Sequence, residues 1–202
     1  MIKVILFDCD GPIIKREKYF SQRIKELLGI YIDEAGEKEF FQGIFLRCEV
    51  GHADLKAVLP NYLSIWRWEK SVDELLKFWF EGERTIDTDM IEYIRILRSR
   101  GIRCYLSTNN EKYRTQYLWE EVGLKKELDG LFSSCYLGYM KPESQYWQEI
   151  YKQFPQIPKN QILVLDDKQS AVDSAKNFGF QAEFYKNFSG FKKSMKKYRV
   201  KF

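Results

Sequence analysis

Histidine is nearly missing from this chain, with His52 the one example in 202 residues. There are four cysteines (Cys9, Cys48, Cys104 and Cys135) and no CxxC pair among them. A zinc site therefore has almost no ligands to draw on. So few cysteines in a chain of this length also argue against a disulfide framework and fit reduced thiols in a cytoplasm. No stretch approaches the roughly 20 consecutive apolar residues of a membrane span. The apolar run at residues 2–7 is too short for the core of a signal peptide, and Asp8 and Asp10 follow it at once. Secretion and membrane insertion are both disfavoured. Charge of one sign is also lacking: 33 basic and 29 acidic residues leave a net +4, too mild to call for nucleic acid. There is no internal repeat and no low-complexity segment.

Apolar surface, by contrast, is plentiful. Hydrophobic residues make up 45% of the chain and aromatic residues 16%, enough to bury a core and to set disorder aside. The length allows one substantial core, or a core with a small appended domain. Trp66, Trp68, Trp79, Trp119 and Trp147 read as packing residues rather than as a platform for bases. The basic stretch from Lys192 to Lys201 reads as a solvated helix or tail, with a contact for an anionic surface as the alternative.

Residues 2–7 are almost continuously apolar, as in a strand buried on both faces of a parallel sheet. The run stops at Asp8-Cys9-Asp10-Gly11-Pro12, a tight loop. From about 15 to 87 the apolar residues fall at helical spacing: Tyr19, Ile24, Leu27 and Leu28; Phe40, Phe41, Ile44 and Phe45; Val72, Leu75, Leu76, Phe78 and Trp79. With little strand signal there, this segment predicts a helical insertion, punctuated at Gly51-His52 and Pro60. An alternating pattern follows. Strands are expected at 102–106, 131–133, 162–165 and 181–185. Helices are expected at 90–98, 111–122, 142–154 and 170–178, with Gly101, Gly123 and Gly179 behind three of them. Such alternation implies an α/β, Rossmann-like parallel sheet with helices on both faces, whose ligands bind beyond the carboxyl ends of the strands.

The polar residues gather at those ends. Asp8 and Asp10, Ser107 and Thr108, and Asp166 and Asp167 each close a strand, and Lys141 follows a glycine-containing loop before a helix. Carboxylates crowded into one cleft repel one another. A hard divalent cation relieves that repulsion, and Mg²⁺ favours carboxylates together with phosphate oxygens. A carboxylate also serves as a covalent nucleophile. Positioning and electrostatic stabilisation carry most of phosphoryl transfer, and a metal, Lys141 and a hydroxyl donor supply both. The plainer readings are Asx capping at Asp8 and Asp10, helix N-capping at Thr108, Asn109, Asp166 or Asp167, and a surface lysine at Lys141.

Phe7-Asp8-Cys9-Asp10-Gly11, Leu106-Ser107-Thr108-Asn109, Lys141-Pro142 and Val164-Leu165-Asp166-Asp167 together resemble the four motifs of the haloacid dehalogenase-like (HAD) hydrolase superfamily, in order and at compatible spacing. The resemblance spans residues 1–14 and 88–202 as a catalytic core, with 15–87 in the place of a small α-helical cap domain. It implies a phosphatase-type member. Asp8 would attack phosphorus, and Asp10 would protonate the leaving alcohol and then activate water. Thr108, with Asn109 beside it, would bind phosphoryl oxygens, Ser107 being the alternative. Lys141 would steady Asp8 and the phosphate. Asp167, helped by Asp166, would hold Mg²⁺ with Asp8 and the backbone carbonyl of Asp10. The implied partner is a small phosphorylated metabolite, handled in the cytoplasm by a monomer or small homo-oligomer. Asp10 favours phosphate esters, because relatives that cleave carbon–halogen bonds lack an aspartate at that place.

Some departures stand out. Pro12 follows Gly11 where relatives often carry Thr or Val, and it removes an N–H. Lys168 takes the place of a small Ser. The same core would serve a phosphoglucomutase-like phosphotransferase, and a binding protein without turnover remains an alternative. His52 reads as a solvated loop residue, Arg47 as one of a helix-surface ion pair and Cys9 as a small apolar filler.

Overall fold

A computed structural model describes residues 1–29 and 34–198. The expected helical contributions of Leu27 and Leu28, and the end of the basic tail at Arg199, Val200 and Lys201, lie outside the residues whose side chains are described.

The chain enters through β1 (Val4–Phe7), all four residues buried. It passes through the two-residue β2 (Ile14–Lys15) into the insertion. There follow α1 (Phe20–Leu28), α2 (Glu34–Glu39), α3 (Phe45–Glu49), α4 (Leu55–Val58), α5 (Pro60–Leu63) and α6 (Val72–Glu81), with a π-type turn over Phe40–Ile44. β3 (Thr85–Ile86) pairs antiparallel with β2, so a short ribbon carries the chain into and out of the insertion. The alternating half then runs α7 (Thr88–Ser99), β4 (Arg103–Thr108), α8 (Lys112–Gln116), α9 (Leu124–Glu127), β5 (Gly130–Ser133), α10 (Ser134–Leu137), α11 (Ser144–Tyr151), β6 (Ile162–Asp166), α12 (Gln169–Phe178), β7 (Gln181–Phe184) and α13 (Phe188–Met195).

Five strands form one parallel sheet in the order β5-β4-β1-β6-β7. The chain builds outward from β1 through β4 to β5, then returns to lay β6 on the other flank of β1. That reversal opens a crevice beyond the carboxyl end of β1, where open α/β sheets bind ligands. Strand residues alternate between faces. Ile5 and Phe7 pack with Ile91, Ile94, Leu97, Phe191 and Met195 of α7 and α13. Val4 and Leu6 pack with Tyr146, Trp147, Ile150, Val172 and Ala175 of α11 and α12. The insertion has a core of its own, centred on Phe20, Phe40, Trp66, Leu75 and Trp79.

The expected α/β class and the strands at 102–106, 131–133, 162–165 and 181–185 match this sheet to within about two residues, the ordinary uncertainty of element ends. Three expectations need correction. The insertion does contain strand, but two residues at each of its ends carry no readable period. The helix expected over 111–122 turns into a π-type segment at Tyr117–Glu121. The helix expected from Pro142 starts at Ser144, and Glu143 sits at its N-cap. The basic C-terminal stretch begins as a packed helix, because Phe191 and Met195 are buried while Lys192 and Lys193 stay exposed.

Candidate active site

Asp8 follows the last residue of β1 and is 6% exposed. Lys141, from the loop before α11, places Nζ 2.6 Å from an Asp8 carboxylate oxygen and 2.6 Å from Oδ2 of Asp166 at the end of β6. One buried cation thus joins two buried carboxylates, a pairing that repays desolvation only when the geometry is close. Burial pushes the Asp8 carboxyl up to about 8; the charge of Lys141 opposes that rise, while Asp166 and Asp10 add to it. Burial works to lower Lys141, but the charges of Asp8 and Asp166 outweigh it and hold the ammonium above its usual value.

Asp8, Asp166 and Asp167 each bring a ligand-capable oxygen within 4.8 Å of the others. Oδ1 of Asp167 is buried and has no hydrogen-bond partner among the described residues. Such an orphan is costly unless something fills its coordination. Gly11 makes room for that carboxylate: its φ is +90°, and an added Cβ would sit 2.9 Å from Asp167 Oδ2. Three converging carboxylates and an unsatisfied oxygen suit a hard divalent cation with oxygen ligands. The Asp10 side chain does not belong to this cluster. Lys168, which stands in the place of a smaller residue, keeps its ammonium 3.9 Å from Asp167 and exposed.

Asp10 differs from the expectation of a carboxylic acid ready to donate. Its two oxygens accept from Nη2 and Nη1 of Arg114 at 2.6 and 2.8 Å, and Arg16 lies 3.1 Å from Oδ2. Burial alone would raise its pKa. The charge and hydrogen bonds of Arg114, helped by Arg16 and Lys141, outweigh burial and hold Asp10 well below the usual carboxylate range. The carboxylate is ionised in this arrangement.

The β4 end divides its two hydroxyls between the faces of the sheet. Ser107 lies on the face of Asp8 and Lys141, with its Oγ 3.0 Å from the Tyr146 hydroxyl. Thr108 Oγ1 accepts from Asn110 Nδ2 at 2.6 Å, which leaves its own proton free to donate. Asn109 serves the site indirectly, because its Oδ1 accepts from the Lys141 backbone N–H at 3.0 Å. Cys9 is buried in the core face opposite Asp8.

Several participants escaped the sequence reading, Arg16 beside Asp10 among them. Arg114 and Asn110 form a pair four residues apart, with Nη1 of Arg114 donating to Oδ1 of Asn110 at 2.5 Å. Asn110 lies just before Glu111, the N-cap of α8, and Arg114 lies in the first turn, so the two meet across the start of that helix. Glu83, just before β3, lies 3.3 Å from Arg16 and 3.5 Å from Arg114. Glu49, at the end of α3, is lifted to about 7 by burial, against the pull of Arg114. Neither glutamate carries a motif. The insertion also touches the core here: Ser134 Oγ donates to the Glu49 carbonyl at 2.5 Å, and an added Cβ on Gly51 would meet the Cys135 carbonyl at 2.3 Å. Tyr113 donates to Asp54 at 2.9 Å.

The family profile of haloacid dehalogenase-like hydrolases matches residues 2–179. Among curated protein sequences nothing matches. Among solved structures, a predicted HAD-like family hydrolase from Porphyromonas gingivalis superposes with a TM-score of 0.79 at 22% identity, over 100% of both chains. A HAD family enzyme of Bacteroides thetaiotaomicron, in complex with magnesium and inorganic phosphate, gives 0.79 at 17% identity, over 95% of this chain and 99% of that one. L-2-haloacid dehalogenase from Xanthobacter autotrophicus, with chloropropionic acid covalently bound, gives 0.66 at 18% identity, over 99% of this chain and 84% of that one. At these identities the structures speak to the fold, and the profile speaks to the family. The chain belongs to the haloacid dehalogenase-like hydrolases.

Proposed function

We propose that the protein hydrolyses small phosphomonoesters with Mg²⁺, through an aspartyl-phosphate on Asp8. The observation that carries this reading is the buried Asp8–Lys141–Asp166 bridge beside the unsatisfied Asp167 oxygen. Asp8, Asp166 and Asp167 would hold the Mg²⁺, together with the Asp10 backbone carbonyl. When bound, the cation neutralises phosphate charge and keeps Asp8 ionised. The neighbour solved with magnesium and inorganic phosphate supports the same choice of ion and ligand.

Lys141 holds Asp8 by its shared oxygen, so the other oxygen is the one free to attack phosphorus. As the P–O bond to the leaving group breaks, the leaving oxygen takes a proton through Asp10, which the Arg114 fork holds ionised and which therefore first receives that proton from the incoming phosphate monoanion. In the second half, Asp10 takes a proton from water while the water oxygen attacks phosphorus and frees Asp8. The ionised form held by Arg114 and Arg16 is the one this second half uses. Thr108 or Ser107 donates to the phosphoryl oxygens, and Asn109 keeps the Lys141 backbone in place.

Residues 15–87 would act as a cap that selects the substrate and excludes water from the aspartyl-phosphate. The contacts of Glu49, Gly51 and Asp54 with the core support that placement of the insertion.

The test is phosphate release from a panel of phosphorylated sugars, nucleotides and small acids, with and without Mg²⁺. Release that requires Mg²⁺ and disappears in Asp8→Asn and Asp10→Asn is the expected result. Release unaffected by either substitution or by chelation overturns the reading.

A further inference from the structure

We infer that Arg114 is the positioning residue of Asp10, a role that rests on the phosphoryl-transfer reading of Asp10 and adds a residue that none of the four sequence motifs contains. The guanidinium meets the carboxylate end-on, Nη1 to Oδ2 at 2.8 Å and Nη2 to Oδ1 at 2.6 Å. A fork of this kind fixes both the place and the plane of a carboxylate, which a single-point contact leaves free to turn.

Arg114 is itself over-determined. Each terminal nitrogen carries two protons. Nη1 gives one to Asp10 and one to Asn110 Oδ1 at 2.5 Å. Nη2 gives one to Asp10 and faces Glu83 Oε2 at 3.5 Å. The side chain is 5% exposed, so no water layer competes for these positions. Glu83 balances the second positive charge that Arg16 brings to Asp10.

The network reaches both halves of the reaction centre. Asn110 holds Arg114 with its carbonyl and Thr108 with its amide, so Asp10 and a hydroxyl at the β4 end are set by one chain of contacts. Of the four acceptor positions on the Asp10 carboxylate, Arg114 takes two, while Arg16 Nη2 lies 3.1 Å from Oδ2 as an ion pair. The positions that the fork leaves on the two oxygens are those available to a water or a leaving oxygen. Arg114 therefore sets the plane in which the free lone pairs of Asp10 are offered to the reacting atoms.

Arg114→Lys separates positioning from charge, because it keeps a cation and removes the fork. Crystal structures of the wild type and this variant, with kinetics on p-nitrophenyl phosphate and Mg²⁺, decide the matter. The expected result is an Asp10 carboxylate that is turned or split between rotamers. With it, kcat should fall about tenfold or more while KM stays within about threefold, the mark of an interaction used in the transition state. Asn110→Ala, which frees one side of Arg114 without touching Asp10, should lose kcat in the same direction and by less, and it stands in if the lysine variant does not fold. An Asp10 that keeps its place and plane, or a kcat within about threefold of wild type in a folded variant, overturns the inference. A wild type that releases no phosphate counts against the phosphatase reading alone, since the orientation of Asp10 still judges the role of Arg114.

Discussion

Asp8 is held by one close cation and surrounded by acidic neighbours, and that balance has a measurable consequence. Burial sets its carboxyl near 8 in the metal-free protein, and a carboxylate must lose its proton to bind a metal. Mg²⁺ binding should release a proton and tighten by about tenfold per pH unit as pH rises from 6 toward 8. Calorimetry in buffers of different ionisation enthalpy checks this; an affinity flat across that range contradicts it. Gly11 makes a second case. At φ +90°, with Asp167 Oδ2 only 2.9 Å from a would-be Cβ, Gly11→Ala should cost about 1–2 kcal/mol of backbone strain and weaken Mg²⁺ binding. Chemical denaturation and metal titration of the variant test both effects. The motif aspartates and Lys141 were legible in the sequence because each closes a strand or precedes a helix. Arg114 and Glu83 were not, since Arg114 meets Asp10 from 104 residues away, and nothing local to either marks the pairing.

At the scale of elements, the site hangs on three strand ends and one loop, and Lys141 ties two of the strands. Lys141→Met would leave Asp8 and Asp166 buried without their cation, a loss of about 3–5 kcal/mol when one partner of a buried pair is removed. Saturating Mg²⁺ should restore more stability to this variant than to wild type; equal restoration in urea melts would contradict the proposed sharing of Asp8 and Asp166 between the lysine and the metal. The strands read easily because residues such as Val4, Ile5, Leu6 and Phe7 are buried on both faces and so appear as unbroken apolar runs. The β2–β3 ribbon did not, because its register, Ile14 with Ile86 and Lys15 with Thr85, is set by contacts across the whole insertion.

At the scale of the molecule, three apolar cores share the work. Two line the faces of the sheet and one fills the insertion. Trp66 is fully buried in the third, and Trp66→Ala should cost about 3–5 kcal/mol, read as a lower urea midpoint. Acid titration reports on the junction. Glu49, at the end of α3, and Glu111, at the N-cap of α8, are both raised to about 7 from 4.5, burial being the main cause. Between those values the folded protein holds protons that the unfolded chain has released, so stability falls as pH rises through that window. Asp10 has the opposite sign, but its contribution is present above 3.8 and is lost only at lower pH. Thermal melts of metal-free protein at pH 5 and pH 7 should show the higher midpoint at pH 5; Glu49→Gln should shrink the difference. That the chain has a sheet core and a helical insertion was readable from apolar periodicity. How the insertion meets the core was not, because Gly51 against Cys135 and Ser134 against Glu49 join segments with no shared pattern.

On the proposed mechanism, Asp8 takes the phosphoryl group. The direct measurement is mass spectrometry of protein acid-quenched during turnover of p-nitrophenyl phosphate with Mg²⁺. A phosphoryl group on the peptide containing Asp8, absent without Mg²⁺ and absent in Asp8→Asn, is the predicted result. Steady phosphate release with no adduct on that peptide, and with activity surviving in Asp8→Asn, would contradict it.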